Sequence, residues 1–255
     1  MDDTQSTIVR ATLAFQKVMK KWFLATLSCL SWHLSFSQDD AKFLNQADAT
    51  VAAGNYQGSF SLSYLHDWKL GTRRKLGLGV GGRFTSYFGQ NQYYVTAPAK
   101  LTSGSTGPGA IFQDDIEKNI DTLLVQSPQV NSLNLFINID YSFSSKFVVG
   151  FNIDAIGFSF GGNRQGNYIN GSSGKITDAA PTPFNVLLVS DNDRGSLNSE
   201  FYGKYSINNK LGLKAGVQFL FTEYTTTTKV QTYPEENDRF RNKSLLFCLG
   251  ITYKL

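Results

Sequence analysis

The last twelve residues, Ser244 to Leu255 (SLLFCLGITYKL), constrain this chain more than any other stretch. Leu245, Phe247, Leu249, Ile251, Tyr253 and Leu255 share one parity. Ser244, Gly250, Thr252 and Lys254 share the other, with Leu246 and Cys248 as exceptions. Successive side chains of a strand point to opposite faces. The stretch therefore predicts an amphipathic β-strand that runs to the final residue. Its apolar face must be set against a core or against lipid.

Six more segments alternate in the same way. Tyr56–Trp68 sets Tyr56, Phe60, Leu62, Tyr64 and Trp68 against Gln57, Ser59, Ser61, Ser63 and Asp67. Leu76–Phe88, Leu133–Phe143, Phe147–Phe160, Leu197–Ile207 and Leu211–Phe221 follow the same rule. Each is about twice the usual strand length of roughly 5–6 residues. Twelve residues at roughly 3.3 Å each, tilted by about 40°, project to roughly 30 Å, enough to cross an outer membrane. Tight turns are predicted at Ser144-Ser145 and Asn208-Asn209. Long connections cover 89–130, 161–196 and 222–241, so long loops gather at one end and tight turns at the other. Transmembrane strands of this kind come in even numbers. The eighth is placed at Lys42–Ala53, where Phe43, Ala47, Ala49, Val51 and Ala53 oppose Lys42, Gln46, Asp48 and Thr50. Ile116–Gln126 is a second candidate. The expectation is eight strands, or ten if the first long loop supplies a pair.

Composition decides which face is inside. Charged residues make up 17% of the chain, against roughly 25% in soluble domains. A soluble barrel with Ser59, Ser61, Ser63 and Gly77, Gly79, Gly81 on its exterior would be under-charged. Small polar residues fit a narrow interior better, which leaves the apolar face outward. The alternative is a lipocalin-type barrel with an apolar interior. Arg83, Asp140, Asp154, Glu200, Lys204 and Lys214 fall on the inner parity and make a candidate set. Asp140, Lys204 and Lys214 are expected near the turn end, and Arg83, Asp154 and Glu200 further up. Buried charges need partners, so these form a candidate ion-paired core, or alternatively a narrow gated pore.

The N-terminus predicts export. Met19-Lys20-Lys21, the apolar run Trp22–Leu30 and Ser35-Phe36-Ser37 make up a secretory signal peptide over 19–37. On this reading Met19 is the start, 1–18 is an upstream extension, and 38–255 is one domain. An N-terminal helix of a cytosolic protein is the alternative. Lipidation at Cys29 is disfavoured by Thr26 and by the apolar run beyond the cysteine. The mature part would keep 20 basic and 18 acidic residues, a balance that gives no reason to expect nucleic acid as a partner. Cys248 is its lone cysteine, which excludes an internal disulfide.

The strand pattern, the loop asymmetry and the amphipathic ending with Tyr253 and Leu255 resemble small outer-membrane β-barrels of the OmpA-membrane-domain type. The resemblance implies an all-β, closed, antiparallel, up-and-down transmembrane barrel in the outer membrane. Its tight turns would be periplasmic and its long loops extracellular. Outer-membrane lipid would surround it, and the assembly machinery would read the strand that ends at Leu255. An extracellular ligand or protein would bind through 89–130, 161–196 or 222–241.

Chemical motifs are few. His66, the one mature histidine, lies near the turn end beside Trp68 and reads as an aromatic-belt residue. The known lipid-modifying barrels use a histidine with a serine, at the opposite end. Gly77–Gly82 resembles a nucleotide fingerprint but lies within a strand and precedes no helix. Asp191-Asn192-Asp193 could offer calcium ligands but lacks an EF-hand's ligand count, and reads better as an acidic turn. The expectation is a non-enzymatic protein with no catalytic, cofactor or metal site, serving envelope integrity or surface binding. A narrow channel or transporter for small or apolar solutes is the alternative. A lipid-modifying enzyme and a soluble carrier rank below it.

Overall fold

The computed structural model describes residues 42–106, 113–170, 173–188 and 192–255. The expected signal peptide and N-terminal extension lie outside them. Among the described residues thirteen strands form one antiparallel sheet: β1 (Phe43–Gly54), β2 (Gln57–Leu70), β3 (Leu76–Gly89), β4 (Gln92–Thr96), β5 (Thr122–Val125), β6 (Gln129–Ser142), β7 (Phe147–Phe160), β8 (Arg164–Asn170), β9 (Ser173–Pro181), β10 (Phe184–Val186), β11 (Leu197–Ser206), β12 (Leu211–Thr226) and β13 (Arg239–Lys254). A short helix, α1 (Ala99–Thr102), follows β4.

Thirteen strands replace the expected eight or ten, and the pairings show why. The eight long strands close a ring in the order β1-β2-β3-β6-β7-β11-β12-β13, with β13 returning to β1. The other five lie within the long connections, β5 inside the candidate strand Ile116–Gln126 and the rest in stretches expected as loops. Four of them, with the upper parts of β12 and β13, close a second ring in the order β13-β4-β5-β8-β9-β12. β12 and β13 therefore belong to both rings. The narrowing from eight strands to six occurs at the β1–β2 hairpin, which turns back at Asn55-Tyr56 with Tyr56 at φ 53°. The Gln90 amide and the Gln92 side chain both donate to the Tyr56 carbonyl, at 2.9 and 3.2 Å. This carries the chain over that turn and lets β4 reach β13.

The two rings have opposite polarity. In the eight-strand ring the apolar parity faces outward, with Phe247 76% and Leu249 65% exposed. Arg83, Lys214, Gln218, Asn138 and Asp154 are buried in its lumen. In the six-strand ring the interior is apolar: Tyr94, Leu123, Val125, Ala179, Tyr224 and Phe240 belong to one buried cluster. Leu246 and Cys248, the exceptions in the terminal strand, belong to the same cluster. With Leu220 and Tyr87 they form its apolar floor above the polar lumen.

Two local features depart from strict alternation. A β-bulge lies where Leu135 pairs Ile156 and Phe136 pairs Asp154, so Ala155 has no partner on β6. An extra residue reverses parity beyond it. Phe158 and Phe160 consequently face outward instead of into the lumen. Leu197, placed by sequence on the outward face, is buried where the 192–196 segment turns into β11. Gly77, Gly79 and Gly81 of β3 face inward under bulky neighbours. A Cβ on Gly81 would stand 2.2 Å from the Tyr64 carbonyl and 2.4 Å from the Phe136 ring.

The six-strand ring makes a separable prediction. Leu123 is fully buried in its core, and truncating such a side chain costs about 2–5 kcal/mol. Leu123→Ala is expected to expose 113–128 to protease while the eight-strand ring stays intact. Cleavage within the long strands at the same protease dose would contradict this division.

Candidate functional site in the lumen and the cap

Inward parity on five different strands brings charged residues together in the lumen. They form a ladder of alternating sign. Asp154 meets Arg83 (2.7 Å), Arg83 meets Glu200 (3.2 Å), and Glu200 meets Lys214 (2.5 Å). Lys214 then meets Asp48 (3.6 Å), and Asp48 meets Lys204 (2.8 Å). Three cations thus balance three carboxylates. Neutral donors complete the shell: Asn134 donates to Asp154 (2.7 Å), Asn152 to Glu200 (3.1 Å) and Thr252 to Asp48 (2.6 Å). Tyr202 crosses the lumen and donates to Asn138 (2.7 Å), with Lys204 and Lys214 over its ring.

Five of the six ions expected in the lumen therefore meet in this ladder. Asp140 does not join it. Asp140 pairs with Lys69 (2.7 Å), which also holds Asp67 (2.6 Å). Asp48, on the inner parity of a weakly apolar strand, is an ion partner outside the expected set. Lys69 lies just beyond the last clear alternation of β2. Position on the inner parity was the available signal for both.

Above the lumen a second charged cluster ties the cap to the ring. Glu223 accepts from Arg239 (2.8 Å) and Arg241 (2.8 Å). Both arginines also donate to the Asp193 carbonyl. The Asp193 carboxylate accepts from the Leu188 amide at 2.6 Å. Asp193 thus pins its loop to β13 as a structural turn, and Asp191 lies outside the described residues. Within the cap, burial pushes the Asp121 carboxyl up, opposed by the Tyr168 hydroxyl that donates to it at 2.6 Å. Burial also holds the Tyr94 phenol well above its ordinary value.

His66 packs between aromatic residues. Its Nδ1 lies 2.6 Å from the Asn45 side-chain oxygen. Its ring stacks on Phe43 and meets Trp68 edge-on. Among the described residues no group of His, Cys, Asp and Glu is placed to hold a metal ion.

No family model and no curated protein matches the chain. Among solved structures it is similar to Neisserial surface protein A, at 13% identity and TM-score 0.36, covering 86% of this chain and 100% of that one. It is similar to a major outer membrane protein from Thermus thermophilus, at 12% identity and TM-score 0.38, covering 84% and 100%. A third is the N-terminal β-barrel domain of Pseudomonas aeruginosa OprF, at 8% identity and TM-score 0.31, covering 84% and 96%.

Proposed function

We propose that the chain is a non-enzymatic outer-membrane β-barrel protein that presents the six-strand ring outside the cell as a binding surface or envelope element. The reversal of polarity along β12 and β13 carries this reading. Leu211, Leu213, Val217, Phe219 and Phe221 face outward on β12, and above them the same parity carries Glu223, covered by the loop that holds Asp193. On β13 the outward row of Leu245 to Tyr253 gives way to Lys243, Arg241 and Arg239. Glu223 and Arg241 are buried against each other and the Asp193 loop, and Arg239 and Lys243 are half-buried, so the exposed apolar belt ends here while the strands continue under a polar cover. The apolar stretch runs from the Leu211–Tyr253 pair to the Phe221–Lys243 pair. Eleven residues at roughly 3.3 Å, tilted by about 40°, project to about 28 Å. That matches a hydrocarbon core of about 30 Å.

The channel reading is weaker on the same grounds. The ladder and Tyr202 cross the lumen, and the apolar floor of Leu220 and Leu246 closes it beneath the cap. The test has two parts. Protein from a washed outer-membrane fraction should migrate differently in detergent gels before and after boiling. Planar bilayers holding it should show no steady conductance. A soluble protein with no shift would sink the membrane reading. Steady conductance that changes in Arg83→Gln or Lys214→Gln would replace the surface role with a pore.

A further inference from the structure

At the turn end, outward aromatic residues and cations are placed together. The turn segments 71–75, 144–146 and 208–210 contain Arg73, Arg74, Lys75, Lys146 and Lys210 and no acidic residue. Asn208 fixes the last turn, its side-chain oxygen accepting from the Lys210 and Leu211 amides at 2.9 and 2.7 Å. Lys254 lies beside it, donating its amide to the Lys210 carbonyl at 2.7 Å. Between this turn and β13 is an open depression of about 450 Å³, lined by Asn208, Asn209, Lys210, Leu211 and Tyr253. The Lys210 ammonium stands 6.0 Å from the centre of the Tyr253 ring. Lys75 stands at the same distance from Tyr141 on another part of the rim.

The depression has two chemistries in a fixed order. Its outer wall is amide and ammonium. Its inner wall is Leu211 and Tyr253, and the outward row continues past them to Leu213 and Ile251. A ligand that fills it needs an anion at one end and hydrocarbon at the other. We propose that it holds an anionic phospholipid of the leaflet at the turn end. Lys210 meets the phosphate, and Leu211 and Tyr253 lie along the first acyl carbons. This inference rests on the membrane reading above. A soluble acidic polymer would reach the turn tips but would gain nothing from the apolar wall. Each basic side chain near an anionic lipid surface favours it appreciably, and aromatic residues mark the headgroup level.

The test titrates the delipidated full chain in neutral detergent with phosphatidylglycerol or phosphatidylcholine and reads bound lipid by native mass spectrometry. The first phosphatidylglycerol is expected to bind about fivefold more tightly than phosphatidylcholine. Lys210→Gln should reduce that ratio to near one. Both proteins should keep the boiling-dependent gel shift, which reports the membrane reading separately. Equal binding of the two lipids by a protein that keeps its shift would overturn the inference. So would an undiminished preference in the variant. Sedimentation with purified peptidoglycan that is lost in the variant, without any lipid preference, would assign the rim to the cell wall instead.

Discussion

Arg83→Ala is expected to lower the unfolding free energy by about 3–5 kcal/mol, the usual cost of stripping one partner from a buried ion pair. Arg83 is 2% exposed and donates to Asp154 from Nε (3.0 Å) and Nη2 (2.7 Å). Its Nη1 lies 3.2 Å from Glu200. Without it Glu200 keeps Lys214, but Asp154 keeps only neutral donors, from Asn134 and the Asn198 amide. The penalty is therefore mainly that of an uncompensated carboxylate. Arg83→Met/Asp154→Leu removes both charges at similar volume and should recover most of the loss, because buried pairs are often replaceable by apolar groups. Lys229→Ala, at an exposed pair with Glu236, should leave the transition where it is. Urea unfolding in detergent micelles, followed by far-ultraviolet circular dichroism, measures all three. An unchanged Arg83→Ala midpoint, or a double variant as unstable as the two losses added, would show that the ladder does not bear on stability.

The ladder was partly legible from sequence because inward parity is a local property. Arg83, Asp154, Glu200, Lys204 and Lys214 could be picked from alternation alone. Their partners could not, because pairing depends on which strands face each other across the lumen. Lys204 on β11 reaches Asp48 on β1 with β12 and β13 between them in the ring, and nothing near either residue announces it. The bulge at Ala155 left only a trace in the sequence. Ile156, Phe158 and Phe160 fall on the wrong parity for an unbroken strand, and only the pairing with β6 shows which residue is the extra one.

The six-strand ring was illegible for a different reason. Its short strands pair with segments far away in sequence, β4 with β13 and β5 with β8. Runs of four to nine residues give little periodicity. Tyr94, Leu123, Val125 and Tyr168 point inward, as in a soluble protein, while Tyr93 and Ile176 are exposed, so these strands do not continue the outward pattern of the long ones. Glu223 and Arg241 looked like loop charges. They are a buried pair on strands that continue past the level where the apolar belt stops.

Phe247→Arg carries the second large effect and separates a membrane-spanning ring from a water-soluble one. Phe247 is 76% exposed in the middle of β13, opposite Val217 on one side and Ala53 on the other. On a soluble protein an arginine there would be tolerated within about 0.5 kcal/mol, as most surface changes are. It would even relieve an apolar belt far larger than soluble monomers expose. In a bilayer the same residue sits near the midplane, where arginine costs about 2–4 kcal/mol, falling to about 0–1 kcal/mol near the interfaces. Leu211→Arg, at the turn end of the same apolar belt, is the matched substitution at low depth. The expected result in phosphatidylcholine vesicles is a large loss for Phe247→Arg and a small one for Leu211→Arg. Depth is the variable that matters, because both residues are outward and apolar and differ chiefly in distance from the headgroups. Equal and negligible losses, with the wild-type protein stable in buffer without detergent, would mean that water already bathes this face. The polarity reversal along β12 and β13 would then need another cause.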